Sequence, residues 1–411
     1  MNRQANPTRA ADATLETLFD RIKPHLALNK ARLRCFAMLV HAVIGQRTVS
    51  LTWLSQHPVT GAKSESVLRR FERFFAEVVL RPRQIGALIL ALAPRPPQGW
   101  ILAMDRTNWQ FGKTHINILV VTVILGKVGL PIAWRVLPKS TKRGNSRKTH
   151  RIALMEEVLS ILPVEDIRVL TMDREFVGKH WLGWLELMEL RYIVRVKSNT
   201  LVGGRSAGWL SRRGRWKRHG KDLHEVFGRQ VYFAAKRVPK GRDPYLAVVS
   251  HGFHGTEALE LYRLRWGIET FFSHLKKRGY QFEDTHMTKS ERIEKLMGVL
   301  AVAFAMSYRW GRHLEKTRGT KTKKHGHRAK SIFRQGFESL HRMLKAPSRF
   351  SDQIKEFFTQ VFRPPSLQIF VGLFRGICVD FRAFEAGRGA VLGAVKPPGG
   401  IKIAGFPAGA G

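Results

Sequence analysis

The sequence predicts an α/β protein with a mixed-sheet core and a β-rich insertion, preceded by a small helical domain and followed by C-terminal helices. Two observations favour this class. The 411 residues are 44% hydrophobic, which is typical of a folded chain rather than a disordered one. From residue 100 onward, apolar runs of strand length alternate with segments whose apolar residues recur at helical spacing, as expected for a sheet covered by helices.

Residues 1–93 predict the small helical domain. Apolar residues recur at helical spacing in ADATLETLFDRIKPHL, NKARLRCFAMLVHAVIG and SESVLRRFERFFAEVVL. The last segment carries Arg69, Arg70 and Arg73 beside three phenylalanines. A three-helix unit ending in a basic, aromatic helix suits DNA binding, and the alternative is an amphipathic helix with solvated arginines. The segment PRPPQG, residues 94–99, predicts a linker.

Residues 100–289 predict the core domain. Its elements follow one another as strands WILAMD, INILVVTVIL and LPIAWRVL, helix THRIALMEEVLSIL, strand IRVLTMD, helix GKHWLGWLELMELR and strand YIVRVKS. This β-β-β-α-β-α-β order is that of the ribonuclease H fold. Residues 200–250 predict the β-rich insertion, residues 290–386 a helical C-terminal region, and the Gly- and Pro-rich residues 387–411 a disordered tail.

The charge of the chain points to a polyanionic partner. Lys and Arg number 71 against 31 Asp and Glu, a net charge of +40. Such an excess opposes folding through self-repulsion, and its usual reason is binding to nucleic acid. The apolar runs are too short to span a membrane. Cys35 and Cys378 both lie in apolar segments, and we expect them to be reduced thiols in the core. Cysteines stay reduced in the cytoplasm, so we expect a cytoplasmic protein that associates with the nucleoid.

Three carboxylates stand out against this basic background. Asp105 and Asp173 each end an apolar strand, where side chains face a cleft. Glu269 lies within the basic stretch YRLRWGIETFFSHLKKRGY. Each Asp alone is also explained by a turn cap or by a local ion pair with Arg106 or Arg174. Together, three carboxylates suit a pair of Mg²⁺ ions acting on a phosphodiester.

The stretch around Glu269 predicts one amphipathic helix. Tyr262, Arg265, Glu269 and Lys276 are offset by 0, +3, +7 and +14 residues, which places them within roughly 60° on a helical wheel. The glutamate therefore shares a row with a tyrosine and two cations. An ordinary spaced ion pair would produce the same pattern.

These motifs together resemble the DDE transposases of bacterial insertion sequences. Tyr262, Arg265, Glu269 and Lys276 match the Tyr-x2-Arg-x3-Glu-x6-Lys signature of one branch of that family. The segments MDRTNWQFGKTHINILVV and LTMDREFVG resemble the blocks around its two catalytic aspartates. The resemblance covers about residues 100–279 and extends more loosely to KSIFRQGFESL.

The resemblance implies a cut-and-paste DNA transposase. It implies Asp105, Asp173 and Glu269 as ligands of two Mg²⁺ ions, for which Mn²⁺ can substitute, and Tyr262, Arg265 and Lys276 as phosphate contacts. The implied partners are double-stranded DNA, as terminal inverted repeats and as target, and a second protomer on that DNA.

Two other functions are compatible with the sequence. Another ribonuclease-H-like nuclease would share the three carboxylates, but it would have no reason for the Tyr, Arg and Lys row or for the basic N-terminal helix. A non-catalytic, sequence-specific DNA-binding protein derived from a transposase would explain the charge and does not need the carboxylates. A basic ribosome-associated protein fits the charge alone.

Overall fold

An eight-stranded mixed sheet forms the centre of the protein. The computed structural model describes residues 7–57, 61–138, 146–212, 217, 221–238, 244–276, 278–319, 322–324 and 328–362, all within one compact unit. The predicted tail, Cys378 and residues 363–386 of the C-terminal region lie outside these ranges. The strands are β1 (Trp100–Phe111), β2 (Thr114–Leu125), β3 (Val128–Val136), β4 (Ile167–Met172), β5 (Tyr192–Arg195), β6 (Leu201–Val202), β7 (Arg205–Ser206), β8 (Leu223–Val226), β9 (Arg229–Arg237) and β10 (Tyr245–His251).

The strand order of the main sheet is β3-β2-β1-β4-β5-β10-β9-β8, while β6 and β7 pair separately. Neighbours β1, β4 and β5 run parallel, and every other neighbouring pair is antiparallel. The predicted α/β class with a mixed sheet is therefore confirmed. The strands β8, β9 and β10 come from the segment predicted as a β-rich insertion, and they extend the main sheet beside β5.

Helices precede the sheet, connect its strands and follow it. They are α1 (Pro7–Ile22), α2 (Lys30–Gln46), α3 (Leu51–Ser55), α4 (Ser64–Glu77), α5 (Pro82–Leu92), α6 (Lys148–Leu159), α7 (Lys179–Leu187), α8 (Ala207–Ser211), α9 (Gly255–Arg263), α10 (Trp266–Leu275), α11 (Ser290–Arg318), α12 (Ile332–Lys345) and α13 (Ser351–Val361). No helix within the described ranges is long and apolar enough to cross a membrane.

Both faces of the central strands are buried, because successive side chains of a strand point to opposite sides. Ile193 packs against α9 with Val169 and Val248, whereas its neighbours Tyr192 and Val194 belong to the larger core on the other face. Strands covered on both faces read as continuous apolar runs, which is why these segments were recognisable as strands.

The first and last helices of the chain pack together. The long helix α11 contacts α2, α4 and α5 from the N-terminal segment, and it contacts α12, α13 and β3. Lys295 of α11 donates to the Phe75 carbonyl of α4 at 2.8 Å. The N-terminal helices therefore share an apolar core with the C-terminal helices and with the sheet.

Two predicted elements were wrong in extent. Strand β1 does not end at Asp105, because pairing with β2 continues it to Phe111. The stretch from Tyr262 to Tyr280 is not one helix. Helix α9 ends at Arg263 and α10 begins at Trp266, and the i→i−3 hydrogen bonds of Arg265, Gly267 and Ile268 tighten the chain between them.

Candidate active site

Asp105 and Asp173 occupy matching positions on two neighbouring strands. The parallel pairing of β1 with β4 places Met104 beside Met172 and ends there, so each aspartate follows the last paired residue. Neighbouring strands lie about 4.8 Å apart. The charge of Asp173 is close enough to raise the pKa of Asp105. The two carboxylates thus stand beside each other where the parallel part of the sheet ends.

Glu269 reaches this position through the tight joint between α9 and α10. Arg265 precedes the first residue of α10, and its guanidinium donates to Asp105 Oδ2 at 2.6 Å and to Glu269 Oε1 at 3.0 Å. The Arg265 side chain is only 10% exposed. One buried guanidinium therefore joins the strand carboxylate to the helix carboxylate.

Tyr262 connects Asp173 to the same group. Its hydroxyl donates to Asp173 Oδ1 at 3.4 Å, and the Arg265 guanidinium lies 5.8 Å from the centre of its ring. Arg195, at the end of β5, lies 4.0 Å from Asp173 Oδ1. All three predicted carboxylates are thus linked through Tyr262 and Arg265, both of which are buried.

The electrostatics of the site follow from this burial. Burial raises the pKa of the Asp105 carboxyl to about 6, against the opposing effects of Arg265 and of the Arg106 backbone N–H. The charges of Glu269 and Asp173 raise it further. Burial acts to lower the pKa of Arg265. The effect of Tyr262, together with those of the three carboxylates, more than offsets burial, so the pKa is raised. The guanidinium is therefore the permanent counter-charge of the carboxylates.

The donor chemistry of this group fits a hard divalent cation. Carboxylate oxygens are the ligands that Mg²⁺ prefers, and three of them surround one positive charge here. In the conformation described, the described residues include no set of three His, Cys, Asp or Glu side chains close enough to hold a metal ion. At this site Arg265 lies between Asp105 and Glu269 and pairs with both carboxylates.

Lys276 lies at the far end of α10, just past its last turn. Its ammonium donates to the Asn108 carbonyl of β1 at 3.1 Å and pairs with Glu283 at 2.9 Å. Lys276 thus ties α10 to the part of β1 that extends beyond Asp105. Its role as a phosphate contact stays a prediction.

A second ion pair braces the two aspartates, and the sequence reasoning missed it. Arg106 forms a bidentate pair with Glu175 rather than a local pair with Asp105. Arg151 of α6 is buried and donates to the carbonyls of Glu175 and Val177 at 2.9 and 3.3 Å. The signal was available in part, since Arg106 directly follows one aspartate and Glu175 follows the other by two residues.

The three arginines of α4 lie apart from the carboxylates. Arg69 and Arg73 line an open depression together with Arg292 of α11. The Arg70 guanidinium donates to Met38 Sδ at 3.7 Å, on the side facing α2. The predicted DNA contacts of these arginines stay predictions.

The family described as "Transposase DDE domain" matches residues 96–306. This match covers β1 to β10, the α9–α10 joint and the first part of α11, and so all three carboxylates. No curated protein matches the chain.

Proposed function

The chain belongs to the transposases with a DDE domain, and from that premise we propose that it moves an insertion sequence by cut-and-paste transposition. A water would cleave one strand at each element end, and the freed 3′ hydroxyl would attack a phosphodiester. In the branch that the sequence resembles, the first such attack closes a hairpin on the element end, and a later one joins that end to target DNA. Two protomers would hold the two ends.

One observation carries this proposal. Asp105 and Asp173 stand in register beyond the parallel pairing of β1 and β4, and a single guanidinium connects Asp105 to Glu269. Three carboxylates linked in this way, in a chain of net charge +40, suit cleavage of a polyanion. The β-β-β-α-β-α-β order, with β1, β4 and β5 parallel, supports a ribonuclease-H-like core.

Asp105, Asp173 and Glu269 would hold the metal. When bound there, two Mg²⁺ ions, or Mn²⁺ in their place, would supply activation of the attacking oxygen and stabilisation of the leaving oxygen in an in-line displacement at phosphorus. For this to occur, the Arg265 side chain has to leave the space between Asp105 and Glu269. A phosphate of the DNA is the natural acceptor for the released guanidinium.

Tyr262 and Lys276 would position the DNA beside the carboxylates. The Tyr262 hydroxyl is a neutral donor whose pKa is raised by burial, so it keeps its proton and can donate to a phosphate oxygen. Lys276 adds a positive charge at the end of α10, next to β1. Together with Arg265 they give the segment from α9 to the end of α10 three hydrogen-bond donors.

The proposal is tested with Glu269→Gln. The amide keeps the shape of the side chain and loses the charge that holds a hard cation. We expect Mg²⁺-dependent nicking of a duplex that carries the terminal sequence of the element to disappear, while gel-shift affinity for the same duplex stays near that of the original protein. The measurement is single-turnover cleavage with protein in excess over DNA.

Glu260→Gln is the matched control, because Glu260 is an exposed glutamate on the preceding helix α9. It should cleave at the original rate. Undiminished cleavage by Glu269→Gln would exclude the ligand role. If the unaltered protein binds the duplex but cuts nothing with either metal, the chain is a DNA-binding protein without catalysis.

A further inference from the structure

An open, positively charged depression lies between α4 and α11. Its volume is about 650 Å³, and it is lined by Arg69, Glu72, Arg73, Ala76 and Arg292. The first four residues form an exposed stripe along α4, since they recur every three or four positions. Arg292 comes from the first turns of α11, more than 200 residues later in the chain, so only the folded structure brings these cations together.

A specific contact holds the two helices in this arrangement. Lys295 of α11 donates to the carbonyl of Phe75 at 2.8 Å, and Phe75 itself is buried in the core. Arg292 lies three residues before Lys295, so it is carried on the same rigid turn. The position of its guanidinium relative to α4 is thus set by packing and not by a flexible loop.

The lining of this depression carries an excess of positive charge, with three arginines against one glutamate. Within the described ranges, Arg69, Arg73 and Arg292 make no ion pair with N···O of 4.0 Å or less. Arg73 Nε donates to the backbone carbonyl of Arg69 at 3.4 Å. This carbonyl group is neutral, so the bond does not neutralise the guanidinium of Arg73. Three guanidiniums around one glutamate repel one another, and an anion bound between them relieves that repulsion.

We propose that this depression binds the phosphate backbone of duplex DNA at a position separate from the carboxylates, with Arg292 as a contact equal to Arg69 and Arg73. The choice of DNA as the anion rests on the proposed function. From Arg69 to Ala76 the stripe rises by seven residue steps and so spans about 10 Å of helix axis. A DNA strand carries one phosphate per 3.4 Å of its axis, so the stripe can follow several of them.

The position of this depression in the chain indicates which part of the DNA it contacts. Its lining includes none of the residues that contact the carboxylates. A short segment, residues 284–289, connects Glu283, the partner of Lys276, to α11. The surface would therefore grip the duplex of the element end at phosphates beyond those that lie at the cut.

The test compares the salt dependence of DNA binding. Removing one arginine that neutralises a phosphate lowers the slope of log affinity against log salt by about 0.9. We expect this change for Arg292→Ala, with a roughly tenfold weaker affinity at fixed salt, and about twice the change in slope for the double variant Arg69→Ala and Arg73→Ala. Lys355→Ala is the control, because the Lys355 side chain is 79% exposed on α13. This variant removes one positive charge that lies outside the depression, so it should keep the original slope of log affinity against log salt.

Arg292→Lys keeps a cation on the same turn of α11. It therefore distinguishes the loss of positive charge from a folding defect caused by changing this residue. It should retain the original slope. An Arg292→Ala slope equal to that of the unaltered protein would overturn the proposal, and so would an equal loss in Lys355→Ala or in Arg292→Lys. Nicking is measured on the same duplex at saturating protein. Absence of nicking in the unaltered protein would count against the proposed function alone, since the slope comparison needs no cleavage.

Discussion

At the scale of single residues, Arg265 is the centre of the candidate site. A buried guanidinium that contacts two carboxylates offsets the desolvation of Asp105, and removing one partner of such a group leaves an uncompensated buried charge. The same residue lies between two of the proposed metal ligands, Asp105 and Glu269. Arg265 thus stabilises the site in the conformation described, and the proposed metal binding requires it to move.

The first prediction at this scale concerns Glu175→Gln. Losing the bidentate pair with Arg106 removes the side-chain link between the chain segments that carry Asp105 and Asp173. A misplacement of about 1 Å can slow a reaction on the order of 100-fold, so we expect single-turnover cleavage to fall by roughly that factor. DNA affinity should change little, and the metal concentration for half-maximal rate should rise, which a loss of stability alone would not cause.

Glu157→Gln supplies the control for that experiment. It breaks another arginine–glutamate pair, Arg135–Glu157, between β3 and α6. Both of its side chains are about one-third exposed, and such surface pairs contribute less than about 1 kcal/mol. Equal cleavage defects in the two variants would contradict a positioning role for Glu175.

At the scale of elements, glycines set the distance between packed helices. Helices α11 and α12 meet at Gly311 and Gly336. A Cβ atom at Gly336 would lie 1.9 Å from the carbonyl oxygen of Ser307, and one at Gly311 would lie 1.9 Å from that of Ile332. Backbone atoms cannot turn aside as a flexible side chain does, so only glycine permits this close crossing.

We therefore expect Gly336→Ala to lower the free energy of unfolding by about 3 kcal/mol or more, since overpacking typically costs about 1–3 kcal/mol even where neighbours can adjust. Urea denaturation monitored by circular dichroism measures the change. Gly61→Ala is the matched control, because a Cβ there meets no atom within 4 Å. If the Gly336→Ala protein were as stable as the Gly61→Ala protein, α11 and α12 could move apart with no loss of unfolding free energy.

At the scale of the whole molecule, a buried pair of histidines from the N-terminal segment lies near α12. His41 of α2 and His57 lie 3.0 Å apart, from Nδ1 to Nε2, and both are buried. His341 and Lys345 of α12 are near enough for their charges to act on His57. Protonation of either histidine would therefore weaken the packing at this junction.

Stability should fall in mild acid for this reason. Burial lowers the pKa of His57 to about 4 and that of His41 well below its usual range, with the charges of neighbouring groups acting in the same direction. Unfolded histidines titrate near pH 6.5, so the unfolded chain binds more protons between about pH 6.5 and 4, and the free energy of unfolding decreases as the pH falls through that window. For His57 the loss is on the order of 3 kcal/mol.

Urea unfolding at several pH values measures this dependence. His57→Gln should flatten the slope of unfolding free energy against pH between pH 6.5 and 4.5, because one proton-binding group of the unfolded chain is removed. An unchanged slope would show that the acid sensitivity resides elsewhere.

The sequence by itself determined the types of the elements and the candidate chemical groups. The buried strands appear as apolar runs because both of their faces are covered, and α4 and α12 appear through the spacing of their apolar residues. Asp105, Asp173 and Glu269 were recognisable as candidates from their neighbours in the chain. These features depend on interactions over a few residues, which a local pattern records.

Only the tertiary structure decided how these groups meet. Strand β1 continues past Asp105 because β2 pairs with it, and the predicted single helix divides into α9 and α10 at a tight joint that carries Arg265 between Asp105 and Glu269. The brace between Arg106 and Glu175 joins residues 69 positions apart, and Arg292 meets α4 across more than 200. Contacts at such separations arise from the packing of whole elements, and no short stretch of sequence contains both partners.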